Sequence, residues 1–131
     1  MLAPCTKAAA LALVLVGSLP SVSTADNVSA QPIYAQNNSN RTIWVAARYK
    51  PPGSGDFHNA GFWQIEPGQK MLIFCNGNAR YTYLHANDAQ GGVFRGQGTP
   101  LYETIRGRTV ELYRHDTGDD YDPRTIEFRD R

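Results

Sequence analysis

The chain has no window of ten or more residues whose apolar side chains recur three and four apart, so long amphipathic helices are not expected. It also lacks an apolar run near the ~20 residues that a membrane-crossing helix needs. The best run, Ala8 to Val16, is far shorter and gives way at once to Gly17, Ser18 and Pro20. Neither sign of charge prevails, with 13 Lys and Arg against 12 Asp and Glu. Binding to nucleic acid or to an anionic bilayer draws on a cationic excess, so neither is expected as a partner. Cysteine is scarce, at 2 residues in 131, and no internal repeat or low-complexity tract is present. A chain of this length builds one domain around one modest core.

The N-terminus carries the clearest positive signal. Lys7 precedes the apolar run, and small residues follow it, which is the order of a secretory signal peptide. Ser23-Thr24-Ala25 places small side chains one and three residues before a cut ahead of Asp26, and Val28-Ser29-Ala30 offers a second cut. Residues 1–25 are read as the signal peptide, with an alternative end at 30; residues 26–32 as a flexible Asn/Ser/Gln-rich arm; and residues 33–131 as a single domain. The mature protein is expected to be periplasmic or secreted, with no membrane span. Cys5 lies ahead of the apolar run, where a lipid-anchoring cysteine would follow it, and it leaves with the signal. Removal of Lys7 brings the basic count level with the acids. Cys75 then stands alone, either as a buried thiol acting as a small hydrophobe or as a thiol that pairs between chains.

The remaining chain reads as strands between Gly, Pro and Asn punctuation. Ile33 to Gln36 and Thr42 to Tyr49 flank Asn37-Asn38-Ser39-Asn40 and suggest a first hairpin. In the second run Ile43, Val45, Ala47 and Tyr49 share one face and Trp44, Ala46 and Arg48 the other; the first set is expected to be buried. Lys50 to Asp56, with two prolines and two glycines, is expected to be a mobile loop. Gly61 to Ile65 runs into Glu66-Pro67-Gly68-Gln69, which has the Pro and Gly positions of a type II turn. Lys70 to Cys75 is apolar on both faces, which predicts a central strand, and Asn76-Gly77 suggests a hairpin to Arg80–Ala86. Short runs at 93–95, 109–114 and 125–128 complete about seven strands. The fold class is all-β, a small antiparallel sandwich or partly open barrel.

No catalytic constellation emerges. On the register that an Asn76-Gly77 hairpin sets, strand rise separates His85 from Cys75 by roughly 20 Å, so a local thiol-imidazole pair is excluded. A hydrolase would have to be assembled from distant residues such as His58, Cys75 and Asp88. No two histidines have the spacing of a transition-metal site. Asp116, Asp119, Asp120 and Asp122 offer hard oxygen ligands, and a calcium-stabilised domain is one alternative. Their spacing is not that of an EF-hand, and the bland reading is a solvated turn. Glu66, Glu103 and Glu111 show no pairing for glycoside hydrolysis. Gly91 to Gly98 lacks the Lys-Ser/Thr of a phosphate loop. No cofactor is expected.

Aromatic residues offer the stronger handle, since Trp44, Trp63, Phe62, Tyr81 and Tyr83 concentrate in the central strands. Two readings stand open for them: core packing, or a surface beside the Pro51-Pro52-Gly53 loop that stacks a sugar ring or anchors a protein.

The order of Asn37-Asn38 before Ile43 to Ala47, then Gly61-Phe62-Trp63-Gln64-Ile65-Glu66-Pro67-Gly68, then Tyr81 to Ala86 resembles a bacterial family known as domain of unknown function ten-thirty-six. The resemblance spans about residues 33–95. It implies a small exported β-domain and brings no mechanism. Phe62 stands where a Trp is usual in that family, and with so little cysteine here a disulfide feature of the family is not carried over. The leading expectation is a noncatalytic exported interaction module whose 50–60 loop and aromatic side chains meet an envelope or extracellular protein or glycan.

Overall fold

The computed structural model describes Cys5 and residues 30–130. The signal-peptide reading of residues 1–25 falls, Cys5 apart, outside the described residues. Eight strands follow one another: β1 Gln31–Asn38, β2 Ile43–Tyr49, β3 His58–Ile65, β4 Lys70–Asn76, β5 Tyr81–Asp88, β6 Leu101–Ile105, β7 Arg108–Asp116 and β8 Arg124–Arg129. They form two layers, a three-stranded sheet ordered β4-β1-β8 and a five-stranded sheet ordered β3-β2-β5-β7-β6. The protein is all-β, and no helix among the described residues is long and apolar enough to cross a membrane.

Period-two patterning makes the layers. Ile43, Val45 and Ala47 of β2 are fully buried and face Ile33, Ala35 and Phe74 of the small sheet, with Ile65 and Leu84 completing the interlayer core. Each such Leu or Ile contributes about 1.5–3 kcal/mol by leaving water. The turn at 66–69 is as the sequence predicts: Gln69 N donates to Glu66 O at 3.0 Å, and Gly68 takes a φ of 81°. The strands it joins, β3 and β4, lie in opposite sheets, so the turn carries the chain between layers.

Neither expected hairpin forms. β1 pairs with β4 and, in parallel, with β8, so the Asn37–Asn40 segment carries the chain from one layer to the other instead of folding β2 back on β1. β4 likewise parts from β5 at Asn76-Gly77. It is an edge strand of the small sheet, not a central one; a bulge beside Ile33/Tyr34 turns both Ile73 and Phe74 into the core. β1 begins at Gln31, inside the segment read as a flexible arm. β6 is an unexpected strand, closed onto β7 by Arg106-Gly107, both at positive φ (51° and 81°). The 93–95 run makes only an isolated bridge, Asn87 to Val93.

Cys75 is bridged to Cys5, so the reading of Cys75 as a lone thiol fails wherever residue 5 is retained. The 50–56 segment is pinned at its start: Gly77 N donates to Lys50 O at 2.6 Å, and Ser54 N to Pro51 O at 3.0 Å.

Candidate functional site

The five-stranded sheet curls until its outer strands approach. Asn59 Nδ2 on β3 donates to Glu103 Oε1 on β6 at 3.2 Å, and Arg106 donates to the Gly61 carbonyl. A bulge between Val45 and Ala46 lets β3 bend there. Gly61 (φ 139°) is required at that point, because a Cβ would lie 2.9 Å from Ala46 Cα. The curl encloses a second, smaller core of Ala46, Ile105, Val110 and Leu112, against which Phe62 and Tyr83 pack.

Along the same concave face, alternation sets Trp44, Ala46 and Arg48 of β2 beside Tyr83, His85 and Asn87 of β5. Arg114 of β7 pairs with Tyr83. The arginines lie over the rings: Arg114 is 4.5 Å from the Tyr81 centroid, Arg108 is 4.8 Å from Phe62, and Arg48 is 5.6 Å from Phe57. Phe57, at the end of the 50–57 segment, meets Tyr83 edge-on at 6.2 Å, so that loop does border the aromatic face. Such contacts are worth about 0.5–1 kcal/mol each at partly exposed sites; Arg48 also donates to Asn59 Oδ1 at 3.0 Å and Arg108 to Asn87 Oδ1 at 3.5 Å.

His85 anchors the floor of this trough. Its ring is nearly inaccessible, meets Phe62 edge-on at 6.4 Å, and hydrogen-bonds Asn87 Oδ1 (3.0 Å) and Glu111 O (3.1 Å). Burial pushes its pKa below the usual imidazole value, against the pull of those two hydrogen bonds. Both partners are oxygen acceptors, so the neutral ring, with a single N–H, donates to one of them at a time, to the Glu111 carbonyl on β7 or to Asn87 on its own strand.

The aromatic set is thus divided. Trp44, Phe62, Tyr81 and Tyr83 share the concave face, whereas Trp63 points between the layers, 6.3 Å from Phe74, and belongs to the core. Sequence reasoning missed Arg108, Arg114 and Phe57 as members of the face. The Tyr81-Tyr83-His85 alternation signals one half of it; the other half depends on a β5–β7 pairing that no local motif reveals.

The remaining candidates do not converge. His58 and Asp88 pair with opposite ends of β2, at Tyr49 and Ile43, which strand rise puts about 20 Å apart. Cys75 lies in the other sheet and is bridged. Asp88 instead closes the loop after β5, accepting from Gly92 N (2.8 Å) and Gln90 N (2.9 Å) and pairing with Arg41 at 2.7 Å. Those backbone donors, ahead of the guanidinium, hold its carboxyl below the usual range.

The acidic loop is organised by arginines. Asp116 takes a bidentate pair from Arg80, Nε to Oδ1 and Nη2 to Oδ2, each at 3.0 Å, and Asp120 is held by Arg124 at 3.2 Å. Gln31 Nε2 ties the loop to β1 through Thr117 O and Asp122 O. Asp119 and Asp122 remain at the surface, and among the described residues no three His, Cys, Asp or Glu side chains gather as metal ligands. The chain matches no family model and no curated protein.

Proposed function

We propose that the protein is an exported, noncatalytic binding module that takes a glycan or protein of the envelope or extracellular space on the concave face of its five-stranded sheet. The observation that carries this reading is the interleaving of Arg48, Arg108 and Arg114 with Phe57, Phe62, Tyr81 and Tyr83 on one curved surface. Flat rings stack sugar faces or partner side chains, and forked guanidinium groups hydrogen-bond hydroxyls and carboxylates. The resemblance to the domain-of-unknown-function family belongs to the same proposal: its quoted segments fall on the β1–β2 crossing, on β3 with its turn, and on β5, the strands that build this face.

The test compares the intact protein with Trp44→Ala, Tyr81→Ala and Arg114→Gln on a glycan array and in pull-downs from envelope and culture fractions. Each variant is first checked for an unchanged melting transition. Loss of retention in folded variants supports the reading; retention equal to the parent in all three removes it. Trp63→Ala serves as the contrast and is expected to fail by destabilising the core.

A further inference from the structure

The opposite face of the same strands carries a different feature. Leu84 and Tyr113 alternate with Tyr83 and Arg114, and they look into the space between the layers where β8 diverges from β7. There the sandwich is open, and a cavity of about 920 Å³ enters between β7, the 92–96 loop and the end of β8. That is within the range of small-molecule sites, about 300–1,000 Å³.

Its bed is apolar: Leu84, Phe94, Tyr113 and Phe128, with Phe94 and Phe128 edge-to-face at 6.0 Å. One polar ring reaches into this bed. His115 lines the cavity and makes no side-chain hydrogen bond to any described residue, unlike His85, whose two nitrogens each face a protein oxygen. Its cross-strand neighbour Thr82 is fully buried, and its Oγ1 also has no partner among the described residues. Burial alone pushes His115 below the ordinary imidazole value, leaving a neutral ring with one N–H to donate and one lone pair to accept.

The rim supplies charge unequally. Arg41 is held by Asp88 at 2.7 Å and Asp130 at 2.8 Å, and Arg129 is paired with Glu127. Arg95 is the loosest. It stands 3.6 Å from Glu111 Oε1, an oxygen that already accepts from Tyr113 OH at 2.9 Å, and its side chain is 62 % exposed. An apolar bed, a neutral imidazole in its wall and one weakly held guanidinium at its mouth are complementary to a compact apolar body bearing one negative charge.

We infer that this open edge is a binding site for a small amphipathic hydroxy-carboxylate, with its apolar body on Phe94, Phe128 and Leu84, a hydroxyl at its far end hydrogen-bonded to His115, and its carboxylate at Arg95. The site is separate from the concave face and does not depend on the function proposed for it.

The experiment uses two probes of one shape, 6-hydroxy-2-naphthoate and its neutral amide 6-hydroxy-2-naphthamide, whose hydroxyl is the group that meets His115, titrated into the full chain and followed by ¹⁵N and aromatic NMR. The expected result is saturable shifts at His115, Tyr113 and Phe94 with both probes, and tighter binding of naphthoate. Arg95→Gln, at an exposed loop position, is expected to weaken naphthoate about tenfold while leaving naphthamide within about twofold. His115→Phe is expected to weaken both. Absence of saturable shifts at these residues overturns the inference. So does an Arg95→Gln protein of unchanged melting temperature that still prefers naphthoate as the parent does, or probe-induced shifts confined to Trp44 and Tyr81.

Discussion

Replacing Asn37 tests the crossing on which the two-layer arrangement turns. Asn37 is fully buried at the end of β1, and its side chain makes four hydrogen bonds. Nδ2 donates to Arg41 O at 2.6 Å and Ile65 O at 2.9 Å; Oδ1 accepts from Ser39 N at 2.9 Å and Ser39 Oγ at 2.6 Å. Its backbone meanwhile bonds Gln69 O and Gly68 N, so one residue fixes the entry to β2, the end of β3 and the 66–69 turn together. A buried hydrogen bond contributes a net ~0.5–1.5 kcal/mol. Ser39 Oγ has a second bond, to Arg41 O, and can absorb part of the loss. Asn37→Ala is therefore expected to cost about 3 kcal/mol, a large share of the 5–15 kcal/mol typical of a domain.

Asn37→Asp separates hydrogen bonding from volume. It keeps the shape and the Oδ1 contacts but turns a carboxylate oxygen toward two carbonyls in a site without a cation. The folded carboxyl is then raised above its unfolded value, so the extra cost is absent below about pH 4 and grows as pH rises through the range between the two values. Urea denaturation followed by tryptophan fluorescence at pH 7 and pH 4 measures both variants. A loss under about 1 kcal/mol for Asn37→Ala, or an Asp variant no weaker than Ala at pH 7, would refute the reasoning.

In the oxidised full chain, Cys5→Ser removes a bridge that closes a 70-residue separation and is expected to cost about 2–4 kcal/mol. Equal urea midpoints for the oxidised parent and variant would count against it. Burial lowers the pKa of both His85 and His115, so the unfolded chain takes up protons first. Stability is expected to be full above about pH 6.5 and to fall below it, with His115→Gln flattening the decline in urea midpoints. A second loss is expected below about pH 4, where Asp88, held down chiefly by Gly92 N–H, and Asp116, held down chiefly by Arg80, become protonated. Gly77→Ala puts a Cβ 2.7 Å from Pro51 O and 2.9 Å from Lys50 O, and is expected to lower the melting midpoint by about 1–3 kcal/mol in equivalent stability.

What was legible in the sequence was local. The alternation of Ile43, Val45 and Ala47 gives the buried face of β2, and Pro67-Gly68 gives a turn, because both are set by a few consecutive residues. Partner choice is not local. Asn37 reads as a turn former, but its amide is spent as a buried clamp between layers, and β1 finds its second partner in β8 some 90 residues on. β6 did leave a trace, since Leu101, Glu103 and Ile105 alternate with Tyr102 and Thr104 ahead of Arg106-Gly107, a pair suited to a tight hairpin. The aromatic face was half visible for the same reason: its tyrosines lie on one strand, and its arginines arrive by pairing.

Charge shows the gap between sum and arrangement most sharply. A formal balance of 13 against 12 predicts a bland surface, yet the charges are not mixed evenly. Asp116, Asp119, Asp120 and Asp122 crowd one loop, and Arg80 and Arg124 attend two of them. Asp88 and Asp130 are drawn to Arg41 at the mouth of the cavity. The trough retains Arg48, Arg108 and Arg114 over aromatic rings; Glu103 lies 3.9 Å from Arg48, and Asp116, opposite Tyr81 on the same face and held down in part by Arg114, stands at its end. Field at a surface depends on the charges within a Debye length of about 8 Å, not on the total over the chain. The sum over the whole chain therefore does not describe the concave patch, whose local sign is set by its three arginines and the two carboxylates nearest them.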